Sequence, residues 1–485
     1  MYAGSVTIGA LSRQSTLFYV ALGLQASLIK DDLLEPIDAL LDDEELLQLV
    51  RGRLAARSPL SAKKGRKTIA PDRLLRCCAL KHIKGWSFRD LERELRGSLV
   101  YRKFTRFHED ATPDHSVFSK QFKLLGPEAV RTIHERLVTK AKELKVAPGR
   151  KLRTDTTVVE TNIHHPTDSS LLGDGMRVLT RGLRSIADQC EAGALKVVDH
   201  ARAVKYRLLE INRAAKSRTE AGKERLKIGY AKLVELVQLA VLQVASVTKR
   251  LSGRACDKLR VVGSLLSVEA AQASLEHYLP MVKQVLKQTR ERVFAGNQHV
   301  VGKILSLFEP STAVICKGKA HKPTEFGRLA RIDEVENGIV SNYQVQEGNP
   351  ADVDAWQPAI SQHVAQYGSA PQLATADRGY FSAKNEKLAH QAGVRKVAVP
   401  ARGPLSAARK KLQQQRWFRR AMRWRTGIES RISTLKHVFG MQRAMYKGDD
   451  GTERYVGWSV IANNLVSMAR TLTKRKGKQR AAHQG

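Results

Sequence analysis

Three acidic residues in three separate contexts carry the chemistry open to this chain: Asp155 in KLRTDTTVVETN, Asp377 in LATADRGYFS and Glu429 in RWRTGIESRISTLKHVFG. The first two lie in β-prone runs that read as strands, and the third lies in a basic stretch that reads as a helix. Carboxylates are hard oxygen ligands, and Mg²⁺ takes few of them while keeping several waters. Two such ions ~3.5–4 Å apart stabilise both the attacking and the leaving oxygen of an in-line displacement. Two strands and a helix that bring these acids together would therefore build a two-metal site suited to phosphodiester chemistry.

Other charged residues compete for roles. Arg425 and Lys436 fall on nearly the same face of the predicted helix as Glu429, where they would clamp phosphates. The plainer alternative makes them solvated members of a basic stretch with Arg416, Arg419, Arg420, Arg423 and Arg431. Glu160 is an odd number of residues from Asp155 and so points to the opposite face of a strand. Asp168 and Asp174 follow closely, and Asp174 suits a cap or a loop. His164 and His165 stand before Pro166 with no cysteine at zinc-finger spacing, and they are left out of the site.

Composition narrows the partner. The chain has 485 residues, 42% of them hydrophobic, enough for a buried core and more than one domain. Lys+Arg 83 against Asp+Glu 47 gives a net charge of +36, which calls for a polyanion. Nucleic acid is preferred to a membrane because the charge runs along the whole chain and no apolar stretch is expected to reach the ~20 residues of a spanning helix. The segment TLFYVALGLQASLI is interrupted by Gly23 and Gln25 and lacks a basic leader, so no signal peptide is read and a cytoplasmic, nucleoid-associated location is expected. Five cysteines without a CxxC pair suit free thiols in a reducing compartment.

The elements that must position the acids follow from periodicity. Residues 30–56 are amphipathic and acidic and lead into a basic linker, LSAKKGRKTIAP. Pro71 opens a helical series broken at Gly85-Trp86-Ser87, and Ser116 after Asp114 starts a further helix whose Lys120 and Lys123 face outward. This series is expected to be an all-α DNA-binding module, with a dimerisation bundle as the alternative. A strand around Asp155 gives way to a proline-free helical block from Leu171 to Leu279. In it Tyr230, Leu233, Val237, Ala240, Val244, Val247 and Leu251 form a coiled-coil-like seam. After Pro310 strands return, with hairpin chemistry at Glu336-Asn337-Gly338, and then helices and strands alternate. Near the end Trp458, Ile461 and Leu465 are core candidates.

With the helical block removed, a meander followed by alternating helices and strands remains, the order of an RNase H-like fold. From about residue 67 to 470 the chain resembles a DDE transposase of a bacterial insertion sequence. The most specific piece is the third-acid helix, where the family has Tyr, two residues, Arg, three residues, Glu, six residues, Lys. Arg425, Glu429 and Lys436 hold those places and Met422 stands at the tyrosine. ADRGYF around Asp377 is also similar to the second-acid motif. The long gap between Asp155 and Asp377 resembles members with a large insertion.

The resemblance implies a mixed α/β protein with an RNase H-like catalytic domain carrying a helical insertion, preceded by an all-α DNA-binding domain. The expected boundaries are 1–66 for an N-terminal helical and linker segment, 67–148 for the DNA-binding domain, 149–167 with 301–470 for the catalytic domain, 168–300 for the insertion and 471–485 for a basic disordered tail. It implies two Mg²⁺ ions, replaceable by Mn²⁺, with Asp155 bridging and Asp377 and Glu429 holding one each. DNA contacts are expected from Arg425, Lys436, Arg431, Lys120 and Lys123. The expected partners are double-stranded DNA, as terminal inverted repeats and target, and further copies of the chain; no membrane is expected. A non-catalytic DNA-binding protein and a structure-specific nuclease of the same fold are the alternatives.

Overall fold

The structure is a computed structural model that describes residues 29–57, 67–191, 193–251, 263–297, 299–316 and 324–483. The chain divides into two compact units, Met1–Asn162 with Ala313–Gly485, and Ile163–Thr312.

The first unit opens with helices α1 (Leu34–Leu41), α2 (Glu44–Ala55), α3 (Pro71–Lys84), α4 (Phe88–Gly97), α5 (Leu99–Thr105), α6 (His115–Leu124) and α7 (Gly126–Glu143). Local signals set their ends. Pro71 sits in the first turn of α3, where its missing N–H leaves no bond unmade. Gly85 ends that helix at a φ of 67°, a left-handed conformation glycine adopts at little cost. Ser87 and Asp90 cap α4 reciprocally, and the Asp114 carboxylate accepts from the Ser116 N–H at the start of α6.

Strand β1 (Lys151–Thr161) follows, and the chain then leaves the sheet for the second unit. That unit consists of α8 (Asp168–Ala187), α9 (Ala201–Ala214), α10 (Glu220–Leu251) and α11 (Leu265–Thr289). Its own core takes in Tyr230, Leu233, Val237, Ala240, Val244 and Val247 of the predicted seam. Contrary to the expectation of no long apolar segment, α10 is long and apolar enough to pass for a membrane span. The seam residues fall in that apolar stretch and are buried against neighbouring helices, a use that accounts for their apolar character.

The chain re-enters the sheet with β2 (Ala313–Ile315), β3 (Glu325–Glu334) and β4 (Val340–Val345). After these come α12 (Trp356–Tyr367), β5 (Leu373–Thr375), α13 (Ala383–Gln391), β6 (Lys396–Ala398), α14 (Ala407–Gln414), α15 (Arg416–His437), β7 (Arg443–Ala444) and α16 (Asp449–His483). The sheet is mixed, in the order β2-β3-β1-β5-β6, with β4 also on β3 and β7 also on β1. The β3–β4 hairpin turns at Asn337 and Gly338, both at positive φ (56° and 75°). At Gly327 a side chain would collide with the Val159 carbonyl, so β3 can lie against β1 only with glycine there.

The N-terminal helices and the sheet share one apolar core that runs from Leu34 through Val159 and Ile332 to Ala469. Trp458, Ile461 and Leu465 of α16 are buried in it. The helical segment expected as a separate domain therefore packs as part of the sheet's own unit. The tail from 471, expected to lack structure, continues α16 as far as His483. Lysine, arginine, glutamine and alanine are good helix formers, and a helix already nucleated extends through them at little cost.

Candidate active site

Strand β1 is paired unequally on its two edges. Against β3 it is antiparallel from Arg153 to Glu160. On the other edge β5 runs parallel to Lys151–Arg153 and β7 pairs with Glu160 and Thr161, so Thr154–Val159 have no strand partner there. Arg153 stands opposite Thr375, the last residue of β5, and Asp155 and Asp377 each follow two residues later in the chain. Both side chains are half-buried. Asp155 Oδ1 accepts from the Thr156 N–H (2.8 Å), and Asp377 Oδ1 caps the turn Arg378–Tyr380 by accepting from the Gly379 N–H (2.7 Å). Tyr380 is fully buried behind them; burial, and then the charges of Asp155, Asp352 and Asp333, push its hydroxyl pKa well up.

Helix α15 brings the third acid. Glu429 is exposed, and Arg425 one turn earlier donates through Nη1 to Glu429 Oε1 (2.9 Å) and through Nη2 to Asp155 Oδ2 (3.2 Å). One guanidinium thus joins an acid of the helix to an acid of the strand. The helix is held by a carboxylate buried beneath it. Glu334, at the end of β3, has no exposure and accepts from Arg153 Nε (2.8 Å) and Nη2 (2.7 Å) and from Arg431 Nε (3.3 Å). Arg153 also donates to the Trp424 carbonyl of α15 and lies 4.7 Å from the Trp424 ring. Arg431 also donates to Asn463 Oδ1 of α16 (2.8 Å). A side chain at Gly427 would stand against the Arg153 guanidinium, which would have to shift to make room for it.

Residues 23–124 match the family described as a transposase domain (DUF772), and residues 334–465 match the transposase DDE domain. The chain carries the two domains of a DDE transposase. Comparison with curated proteins and with solved structures gives no match. The second matched segment of this transposase contains Asp377, Arg425, Glu429 and Lys436, and Asp155 lies upstream of it. The family implies DNA as partner and dependence on a divalent metal.

The donor set of the transposase fits such an ion. Asp155, Asp377 and Glu429 offer only carboxylate oxygens, the ligands a hard cation takes. Two of these oxygens are already drawn to one positive group, the Arg425 guanidinium, which stands in for a cation between them.

The remaining predicted residues are placed differently. Arg431 was expected on DNA, but its guanidinium is turned inward to Glu334 and Asn463. Lys436 is half-buried on α15, while Lys120 and Lys123 stand exposed on α6. Glu160 is buried and paired with Arg443 (2.9 Å), as the opposite strand face requires. Asp168 accepts from Gln288 (3.2 Å) and Arg292 (2.5 Å) in the helical unit, and Asp174 pairs with Arg177 (2.7 Å). One acid near the site escaped the sequence reading. Asp352, the first residue of the turn Asp352–Ala355 after β4, accepts from Thr156 Oγ1 (2.7 Å) through Oδ1. Its only local signal is a turn-forming GNPADVD, which has no strand or helix period.

Proposed function

We propose that the chain is a DNA transposase that binds the ends of an insertion sequence and catalyses metal-dependent strand cleavage and strand transfer. The observation that carries this is the Arg425 link from Asp155 to Glu429, supported by the parallel β1–β5 pairing that ends two residues before both Asp155 and Asp377. Asp155, Asp377 and Glu429 would hold two Mg²⁺ ions, for which Mn²⁺ can substitute, with Asp155 shared between them. When bound, the ions supply Lewis-acid stabilisation of the attacking and leaving oxygens. The chain's own part is to orient the scissile phosphate. Arg425 and Lys436 share a helix face with Glu429, from which both reach phosphate oxygens. Lys120 and Lys123 contact the DNA backbone from α6 and position the element end without reading its bases. The DNA partners are the terminal inverted repeats and the target, and further copies of the chain join in the complex that pairs the ends.

The test uses purified protein, Mg²⁺ and duplex DNA carrying the element's own ends. Wild-type protein is expected to cleave and to join. Asp155→Asn, Asp377→Asn and Glu429→Gln are each expected to abolish both reactions while DNA binding survives. Cleavage retained in any one of them removes that residue from the site, and cleavage without joining in the wild type selects the nuclease alternative.

A further inference from the structure

We propose that Asp352 is a fourth carboxylate of this site, holding a divalent cation together with Asp377. The proposal rests on Asp377 being a metal-holding residue, as argued above, and adds a ligand beyond the three acids.

The geometry is that of a cradle. The bond from Thr156 Oγ1 (2.7 Å) occupies Asp352 Oδ1 and fixes the carboxylate's direction. Its second oxygen then faces Gly379. A methyl group placed on Gly379 would stand 2.8 Å from Asp377 Oδ1 and 3.0 Å from Asp352 Oδ2, so the two carboxylates converge on one spot that a glycine leaves open. Among the described residues neither acid forms an ion pair. Arg402 comes nearest, with Nη2 3.3 Å from the same point while its Nε donates to the Arg378 carbonyl (2.9 Å). Two like charges facing one gap repel each other, and a hard cation between them removes the repulsion.

The placement also explains how a fourth acid reaches the site. Successive side chains of β1 point to opposite faces, so Asp155 turns toward Arg425 of α15 while Thr156 turns away. Asp352, bonded to Thr156, arrives from the face opposite α15. Asp377 stands between the two faces, at the edge of β1 that β5 leaves uncovered.

The test uses the full chain without DNA, titrated with Mn²⁺ and followed by the paramagnetic resonance of free Mn²⁺ and by thermal melting. Asp352→Asn keeps an oxygen for Thr156 and removes the charge. It is expected to raise the melting temperature without metal, to shrink the Mn²⁺-induced rise and to weaken Mn²⁺ binding about tenfold or more. A purely structural Asp352 would give the reverse, a lower melting temperature without metal and unchanged Mn²⁺ affinity, and that result overturns the proposal. Gly379→Ala sets a methyl group against both carboxylates while keeping their charges and is expected to weaken Mn²⁺ in the same way; unchanged affinity there overturns the shared-cation geometry. Asp155→Asn and Asp377→Asn separate the two levels of inference. Mn²⁺ loss in these with wild-type affinity in Asp352→Asn sinks the fourth ligand alone, whereas wild-type affinity in both sinks the underlying site.

Discussion

At the scale of single residues, Arg425 is the side chain on which most converges. Its planar fork reaches two carboxylates on two elements at once, which a lysine's single ammonium does not reproduce. Arg425→Lys is therefore expected to slow single-turnover cleavage on the order of a hundredfold while leaving DNA affinity nearly unchanged. An unchanged rate would return Arg425 to the solvated arginines of α15. The residues legible in the sequence were those whose element has a period. Glu429 with Arg425 and Lys436 could be placed on one face because a helix repeats every 3.6 residues, and Asp155 could be separated from Glu160 because a strand alternates. Asp352 lies in a turn with no period, and nothing in GNPADVD announces that it will meet a glycine 27 positions on. Arg431 was misread because charge in a sequence does not say whether it faces water; only the buried Glu334 shows why this arginine turns inward.

At the scale of elements, the angle of α15 over β1 depends on one buried carboxylate with two guanidinium partners. Glu334→Gln would leave Arg153, itself buried, and Arg431 short of their counter-charge. Breaking such a pair from one side costs about 3–5 kcal/mol, which chemical denaturation would register. Cleavage is expected to fall further than the loss of folded protein explains, since the helix carrying Glu429 loses its anchor. Helix α6 makes a separate prediction. If the exposed Lys120 and Lys123 lie on phosphates, replacing each by alanine weakens DNA binding uniformly across sequences and lowers the slope of log affinity against log salt by about one per lysine. A slope that does not move would favour the bundle alternative for this helical segment.

At the scale of the whole molecule, two histidines tie the N-terminal helices and α12 to the sheet. His134 Nε2 donates to the Val340 carbonyl (2.9 Å) and His363 Nε2 to the Gly149 carbonyl (3.0 Å); burial lowers each pKa to about 4. Both are neutral when folded and take up a proton near pH 6.5 when unfolded, so the unfolded chain binds more protons between these values. Stability is therefore expected to fall as pH drops from about 6.5 to 4, by up to about 3 kcal/mol for each histidine. Denaturant midpoints across that range test this, and His134→Gln, which keeps a donor for Val340, should flatten the dependence.

Gly327 has a further consequence, for the topology of the chain. Glu160 pairs with it from one side and Ala313 from the other, so the polypeptide departs from the sheet and returns to it across a single residue of β3. Neighbouring strands lie ~4.8 Å apart, which puts the exit and the return about 10 Å from each other. A gap that small can be closed by a handful of residues. Replacing residues 163–312 with a short Gly/Ser bridge is therefore expected to leave a folded, cooperatively melting remainder. A shortened chain that came out unfolded would show that the sheet depends on the excised residues for more than connection.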